Sequence, residues 1–562
     1  KNTESKDLLN TMLQSAALRR GVKSLDAISR SFTRSLSSKP VWATIDVDEM
    51  GKSPTPYAVS NLVGGEWKKA KSEILIPHPL DKTQHSIFSV PDTDISELEP
   101  YFKSMRKVPK SGVHNPLKNP HRYVDYGEIS RLAGAALSDE KVAEYFANLI
   151  MNCVPKSKWQ ALGEVKVTAD FLNNFAGDNV RRLAKSFGVP GDHYGQFSQG
   201  YRWPYGPVGL VTPFNFPLEI PVLQLMGALY MGNKPVLKPS EQVSVVMEQF
   251  VRLLIHCGMD PNDLDLLNCR GPVVEELIVK SPLRVTQFTG SSKVAEHLSR
   301  ATNGKVKIED AGFDWKVIGP DVAHVDYVAW QCDQDAYATI GQKCSAQSIC
   351  FIHENWKSTN LLAKMKENAE ARSLSDLTAG PTLTHTTKQI LDHTNSVAAI
   401  EGAEILWGGK ELENHSIPEI YGAVEPTAVF VPLEEMMKED NFPLCSKELF
   451  APFQVVTIYD DDSIDLVLDA LEKISHHLTA ALVSNDLEFQ SRILSSTVNG
   501  TTYVGRRART TGAPQNHWFG PAGDPRGCGI GTPEAIQLVW SCHREIINDN
   551  FVPDGWTQPK AT

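Results

Sequence analysis

Long uncharged apolar runs are missing from this chain of 562 residues; the best candidate, Leu218 to Gly232, contains Glu219 and Gln224. A membrane-spanning helix needs about 18 such residues or more, so a membrane protein is excluded. Cysteines are few, nine in all, odd in number, scattered and never in a C-x-x-C pair. That excludes a disulfide framework and a zinc ribbon, leaves no metal-ligand spacing, and favours a reducing compartment. An excess of basic charge is also absent: 56 Lys and Arg face 67 Asp and Glu, for a net charge of −11. A phosphate-backbone binder needs a dense basic surface, so nucleic acid is excluded as a partner.

What is there is an ordinary globular composition, 41% hydrophobic and 22% charged, too apolar for a disordered chain. The length suggests two to four domains, each able to bury a core. The first 39 residues stand apart, with eight basic residues against three acidic ones. Leu18, Val22, Leu25, Ile28 and Phe32 fall at helical spacing within a Ser- and Arg-rich stretch that is poor in acids. This pattern reads as an organelle import peptide, most often mitochondrial, with a basic arm carrying no address as the alternative.

Beyond Pro40, strands and helices alternate. Strands are predicted over Gly209–Thr212, Lys234–Lys238 and Leu283–Phe288, and helices over Pro221–Met231, Val243–Cys257 and Lys293–Ala301. This βαβαβα pattern implies a parallel sheet wrapped by helices, with ligands at the carboxyl ends of the strands. Those ends carry Thr212-Pro213-Phe214-Asn215-Phe216-Pro217, Lys238-Pro239-Ser240-Glu241 and Thr289-Gly290-Ser291-Ser292. Alone, Asn215 is a turn residue, Lys238 and Glu241 a solvated loop, and Gly-Ser-Ser a helix cap. Three polar groups on successive strand ends of one sheet are harder to dismiss.

Further on, Ile340-Gly341-Gln342-Lys343-Cys344-Ser345-Ala346 presents a thiol on a tight turn among small polar neighbours, whereas the other eight cysteines read as core. Upstream, Glu309-Asp310-Ala311-Gly312 ends a strand-like stretch with a carboxylate. A thiol nucleophile and a carboxylate base suffice for acyl-type covalent catalysis. A papain-like arrangement with a distant histidine stays open, because triad partners are remote in sequence.

Taken in order, these motifs, with Phe288-Thr289-Gly290-Ser291 and Glu448-Leu449-Phe450-Ala451-Pro452, resemble the NAD(P)-dependent aldehyde dehydrogenase superfamily over about residues 60–545. The stretch from Glu309 to Lys316 resembles its plant mitochondrial Δ1-pyrroline-5-carboxylate dehydrogenase branch, family 12. The resemblance implies an α/β fold: an import peptide over 1–40, a Rossmann-like NAD domain over 41–185 and 207–309, and an α/β catalytic domain over 310–525. A small β oligomerisation element, the hairpin over 186–206 with the arm 526–562, would pair across a subunit interface and make a homo-oligomer. It implies Cys344 as the nucleophile, Glu309 as the base that activates water, and Asn215 with the Cys344 N–H as the oxyanion hole. Thr212, Pro213, Phe214, Lys238, Glu241, Gly290, Ser291, Glu448 and Phe450 would bind the cofactor. Glu241 would accept bonds from ribose hydroxyls and repel a 2′-phosphate, favouring NAD over NADP.

The implied reaction is thiolate attack on a small-molecule aldehyde, hydride transfer to NAD, and hydrolysis of the thioester. The substrate implied is glutamate γ-semialdehyde, with Gly512, Ala513 and Ser345 at its carboxylate and Phe216 and Phe519 along its aliphatic part. Another semialdehyde such as succinic semialdehyde, or a non-catalytic member of the fold, is the alternative. Departures from the common family pattern are Ala295, Ala311 and Ala451 in place of glycine, and Asp310, whose like charge would raise the base's pKa or point elsewhere. Arg506, Arg507 and Arg509 precede the carboxylate loop as a basic run, read as a solvated face that could steer a carboxylate.

Overall fold

The computed structural model describes residues 39–310, 312–512 and 518–562. The import peptide expected over 1–40, save its last two residues, lies outside them, as do Ala311 and Ala513. No helix of the described residues is long and apolar enough to cross a membrane.

The first seven-stranded sheet runs, edge to edge, Val306–Glu309, Thr286–Thr289, Pro207–Val211, Lys234–Lys238, Asp265–Leu266, Asn61–Val63, Glu66–Lys68. The first five strands pair in parallel and the last two pairings are antiparallel. After the antiparallel edge over residues 61–68, the parallel part starts at Pro207–Val211, builds outward to one side, then returns to build the other from Thr286–Thr289. Between those two neighbours the strand order reverses, and an open parallel sheet offers its ligand crevice there. The three predicted helices are found as Glu219–Tyr230, Ser244–His256 and Ser292–Ala301. Glu219–Tyr230 is buried from Ile220 to its end, as a helix apolar on every side must be.

The second seven-stranded sheet runs Glu404–Trp407, Thr427–Phe430, Phe453–Tyr459, Gln347–His353, Asp314–Ile318, Thr479–Val483, Thr501–Val504, parallel except at its first edge. Alternate residues of these strands serve opposite faces: Trp315, Val317, Phe351 and Val455 pack into one apolar cluster, Ile318, Ile352 and Val456 into another. Only residues 310–313 separate the last parallel strand of the first sheet from Asp314–Ile318 of the second. Chain passage between sheets therefore falls immediately after Glu309.

A three-stranded sheet contains Gly188–Pro190, Gln196–Pro204 and Ser541–Asp549. The hairpin and the C-terminal arm do pair, with Ser541 opposite Pro204 and Asp549 opposite Gln196. Here the pairing is made within one chain. The reason is covalent reach: helix Pro533–Trp540 docks on Glu219–Tyr230 and leads straight into the arm, and the Asn233 side chain holds the Trp540 carbonyl at 2.8 Å.

Candidate active site

Glu309 closes the edge strand of the first sheet, and Cys344 precedes strand Gln347–His353 of the second, so the two meet where the sheets face each other. Of the nine cysteines, seven are buried, Cys542 is exposed and Cys344 is half-buried. The nucleophile candidate is thus reachable yet shielded. Its approach is built from strained backbone: Thr339, Ile340 and Gly341 have φ of 55°, 58° and 67°. Two consecutive non-glycine residues in the left-handed region cost energy and persist only when surroundings hold them.

The restraints are visible. Gln160 Oε1 accepts the Thr339 N–H at 3.1 Å, while Gln342 accepts the Leu383 N–H at 2.7 Å and donates to the Pro381 carbonyl at 3.1 Å. Lys343 turns inward and donates to the Gln334 carbonyl at 3.2 Å; burial pulls its pKa down to about 8. Gly312 passes so close that a Cβ there would sit 2.0 Å from the Cys344 carbonyl oxygen. Only glycine permits that approach.

Glu309 is 3% exposed, and neither carboxylate oxygen has a hydrogen-bond partner among the described residues. Burial pushes it up to about 7; the nearby Cys344 thiol opposes the rise and the Asp310 charge adds to it. The like charge of Asp310 therefore acts as expected, but desolvation dominates. Cys344 is raised well above an ordinary thiol, first by burial and then by the Glu309, Asp314 and Glu448 charges.

Asn215, buried after the strand Pro207–Val211, donates its side-chain amide to the Gln342 carbonyl at 3.1 Å. One N–H of that amide remains over, and the Cys344 N–H donates to no other group among the described residues. The main-chain carbonyl of Asn215 accepts from Lys156 at 2.7 Å. Lys156 is fully buried, paired with buried Glu164 at 3.1 Å and seated 4.4 Å over the Phe216 ring. Glu164 in turn accepts the Leu218 and Glu219 N–H groups at 2.9 and 3.3 Å. Sequence reading missed Lys156, Glu164 and Gln160, since a Lys and a Glu eight residues apart look like any solvated pair.

The remaining expected residues spread along the crevice. Thr212 donates its N–H to the Lys238 carbonyl at 3.1 Å and keeps a buried, unpartnered hydroxyl, with Pro213 next in the chain. Lys238 and Glu241 form an ion pair at 2.9 Å. Gly290 donates to the Glu309 carbonyl at 3.2 Å, and Ser291 caps helix Ser292–Ala301 with no side-chain bond. Ala295 is buried in that helix. Phe450, at φ 53°, meets Phe214 edge-on with centroids 6.0 Å apart. Glu448 is half-buried, accepts the Gly312 N–H and is raised well above an ordinary carboxyl by burial.

On the other flank, Ser345 is buried, and Phe216 and Phe519 are half-buried against one apolar cluster. The Arg run divides: Arg506 pairs with Asp321 at 2.7 Å, Arg509 donates to the Gly512 carbonyl at 2.5 Å, and Arg507 is exposed. Arg506 and Arg509 are thus engaged by other groups, and Arg507 keeps the solvated position expected of the run. At the start of this loop Thr510 donates its N–H to Asp335 at 3.1 Å, and Asp335 is paired with fully buried Lys316 at 2.7 Å.

Comparison with known proteins agrees with this layout. The family model described as Aldehyde dehydrogenase family matches residues 126–524. The chain is 56% identical over 523 residues to "Delta-1-pyrroline-5-carboxylate dehydrogenase 12A1, mitochondrial" of Arabidopsis thaliana, covering 93% of this chain and 94% of that one. It is 57% identical to "Probable aldehyde dehydrogenase" of Linum usitatissimum, covering 95% and 97%. Among solved structures, an NAD-dependent aldehyde dehydrogenase from Sinorhizobium meliloti superposes with a TM-score of 0.76 at 18% identity, covering 89% of this chain and 96% of that one, a likeness of fold alone. A thiol and a desolvated carboxyl between two parallel sheets, matched by family and relatives over nearly the whole length, make this chain a member of the aldehyde dehydrogenase family.

Proposed function

We propose that the chain oxidises glutamate γ-semialdehyde, the open form of Δ1-pyrroline-5-carboxylate, to glutamate in proline catabolism, with NAD as oxidant, in the mitochondrion and as a homo-oligomer. The observation that carries the chemistry is the juxtaposition of half-buried Cys344 with Glu309, a carboxyl held at about 7. The substrate and compartment are supported by the 56% identity to the Arabidopsis enzyme.

The crevice suits a dinucleotide. Thr212 keeps an unpartnered buried hydroxyl, Ser291 leaves the helix Ser292–Ala301 start uncapped by side chains, and Glu241 carries a carboxylate at a strand end. Lys238 and Glu241 would hold the adenosine ribose, Ser291 with Gly290 the pyrophosphate, and Glu448 the nicotinamide ribose, with Phe450 and Phe214 bordering the ring. When bound, NAD supplies the hydride acceptor.

The rest belongs to the chain. At rest the Cys344 sulfur keeps its proton, and Glu309 is the acceptor in reach. The sulfur bonds to the aldehyde carbon, while the spare Asn215 N–H and the Cys344 N–H hold the oxygen that gains charge. After oxidation the substrate is a thioester on Cys344. Once Glu309 has passed the thiol proton to solvent, it takes a proton from water, the hydroxyl oxygen attacks the acyl carbon, and the carbon–sulfur bond breaks, the acid leaving and the sulfur recovering a proton.

The test is NADH production across a panel of semialdehydes with NAD and with NADP. A kcat/KM highest for glutamate γ-semialdehyde with NAD is expected; a clear preference for succinic semialdehyde sinks the substrate. Cys344→Ala is expected to abolish turnover while NAD binding remains measurable.

A further inference from the structure

One charged group at this site has no role in the chemistry above. Helix Glu219–Tyr230 is apolar but for Gln224, and Glu219 is its one charged residue. Gln224 donates its side-chain N–H to the Thr289 hydroxyl at 2.8 Å. Glu219 stands four residues after Asn215 and three after Phe216, half-buried at the mouth of an otherwise buried helix. Its N–H is held by Glu164, but among the described residues no hydrogen bond or ion pair engages its carboxyl.

The charges that face it come from three elements: Glu164 on helix Lys158–Asn174, Lys156 just before that helix, and Glu309 at the end of its strand. Lys156 cannot neutralise Glu219, because it is already committed to Glu164, to the Asn215 carbonyl and to the Phe216 ring. With Lys156 and Glu164 cancelling each other, two carboxyls remain uncompensated, Glu219 and Glu309. A desolvated carboxyl with no partner is costly, and a cation arriving from outside would complete it.

We infer that Glu219 is the specificity residue that receives the α-ammonium of the substrate, so that the site selects aldehydes bearing a cationic amino group. The inference rests on the reading under Proposed function. In glutamate γ-semialdehyde two methylenes separate the aldehyde carbon from the α-carbon, and Glu219 opens the helix four residues after Asn215. Of the charges at Glu219, Lys156 lies against the Phe216 ring and Glu164 is paired with it, while Glu309 is the third. Of the arginines before the carboxylate loop, Arg506 is paired with Asp321 and Arg509 is bonded to the Gly512 carbonyl. Burial and the Glu164 charge push Glu219 up to about 8; an ammonium seated against it favours the ionised form, so binding releases a proton.

The experiment compares the full chain with Glu219→Gln, measuring kcat/KM with NAD for L-glutamate γ-semialdehyde and for succinic semialdehyde, which lacks the ammonium. The ratio of the two is expected to fall about 10- to 100-fold in the variant, chiefly through KM, as for loss of a charge-assisted hydrogen bond. An unchanged ratio overturns the inference, whether both substrates lose rate together, as for a proton relay from Glu309, or neither does. Calorimetry of the products supplies a readout independent of turnover: wild type should bind L-glutamate more tightly than glutarate, and Glu219→Gln should erase the difference. Equal binding of the two acids by the wild type overturns it as well. A wild type that turns over succinic semialdehyde and not glutamate γ-semialdehyde overturns the functional reading and this inference with it. A wild type that prefers glutamate γ-semialdehyde while the variant keeps the ratio overturns this inference alone.

Discussion

The side-chain amide of Asn215 donates to the main-chain carbonyl of Gln342 across 3.1 Å, joining the end of a strand in one sheet to the turn that presents Cys344 before the other. One N–H of the amide is thereby used to fix its plane, which leaves the second N–H aimed by geometry rather than by chance. Preorganised donors stabilise a developing oxyanion because they need no reorganisation when charge appears. Asn215→Ala removes the donor and its orienting bond together. Single-turnover kinetics of Cys344 acylation should slow about 10²- to 10³-fold, with NAD affinity little changed.

Glu309 sets a pH dependence. Its carboxyl must be ionised to take a proton from water, and burial holds its pKa at about 7 instead of the ordinary 4.5. Below that value the protonated fraction grows, so the deacylation rate should fall about tenfold per pH unit; above it the rate should level off. The pH profile of pre-steady-state thioester hydrolysis checks this, and Glu309→Gln should remove the inflection along with most of the rate. A rate that rises toward acid pH contradicts the assignment.

The buried pair Lys156–Glu164, at 3.1 Å with both side chains fully enclosed, carries the Asn215 carbonyl on the lysine and the start of helix Glu219–Tyr230 on the glutamate. Removing one partner strands the other charge, at a cost of about 3–5 kcal/mol. Lys156→Met should therefore lower the thermal midpoint strongly, and the double change Lys156→Met with Glu164→Leu should recover much of it. Activity should stay low in the double variant, because nothing then holds the Asn215 main chain.

Gly312 is a second fixed point. A Cβ built there meets the Cys344 carbonyl oxygen at 2.0 Å, so Gly312→Ala must displace the nucleophile turn or the Glu309 loop. A displacement of about 1 Å can cost 10²-fold in rate. A fall in kcat of that order is expected with the fold retained by circular dichroism.

Asp335 ties the loop from Thr510 onward to the second sheet through buried Lys316, whose pKa the Asp335 charge raises against the opposing effect of burial. Asp335→Asn leaves Lys316 with a neutral partner and weakens the anchor of Thr510. KM for a carboxylate-bearing aldehyde should rise several-fold more than KM for an aldehyde of similar length without a carboxylate.

What the sequence determined by itself is local and ordered. Short β-rich runs at Gly209, Lys234 and Leu283, each followed by a helix, place polar groups at strand ends wherever the chain reverses, because covalent spacing settles which residue follows which strand. Hence Asn215, Lys238, Glu241, Ser291, Glu309 and Cys344 were legible as candidates before any fold was known. Tertiary structure decided what those groups experience. That Glu309 is desolvated, that Lys156 reaches back to the Asn215 carbonyl, that Arg506 is spent on Asp321, and that Glu219 stays unpaired depend on which side chains meet across distant segments. It also decided that the arm pairs with its own hairpin. Burial and charge are set by neighbours in space, and linear order does not contain them.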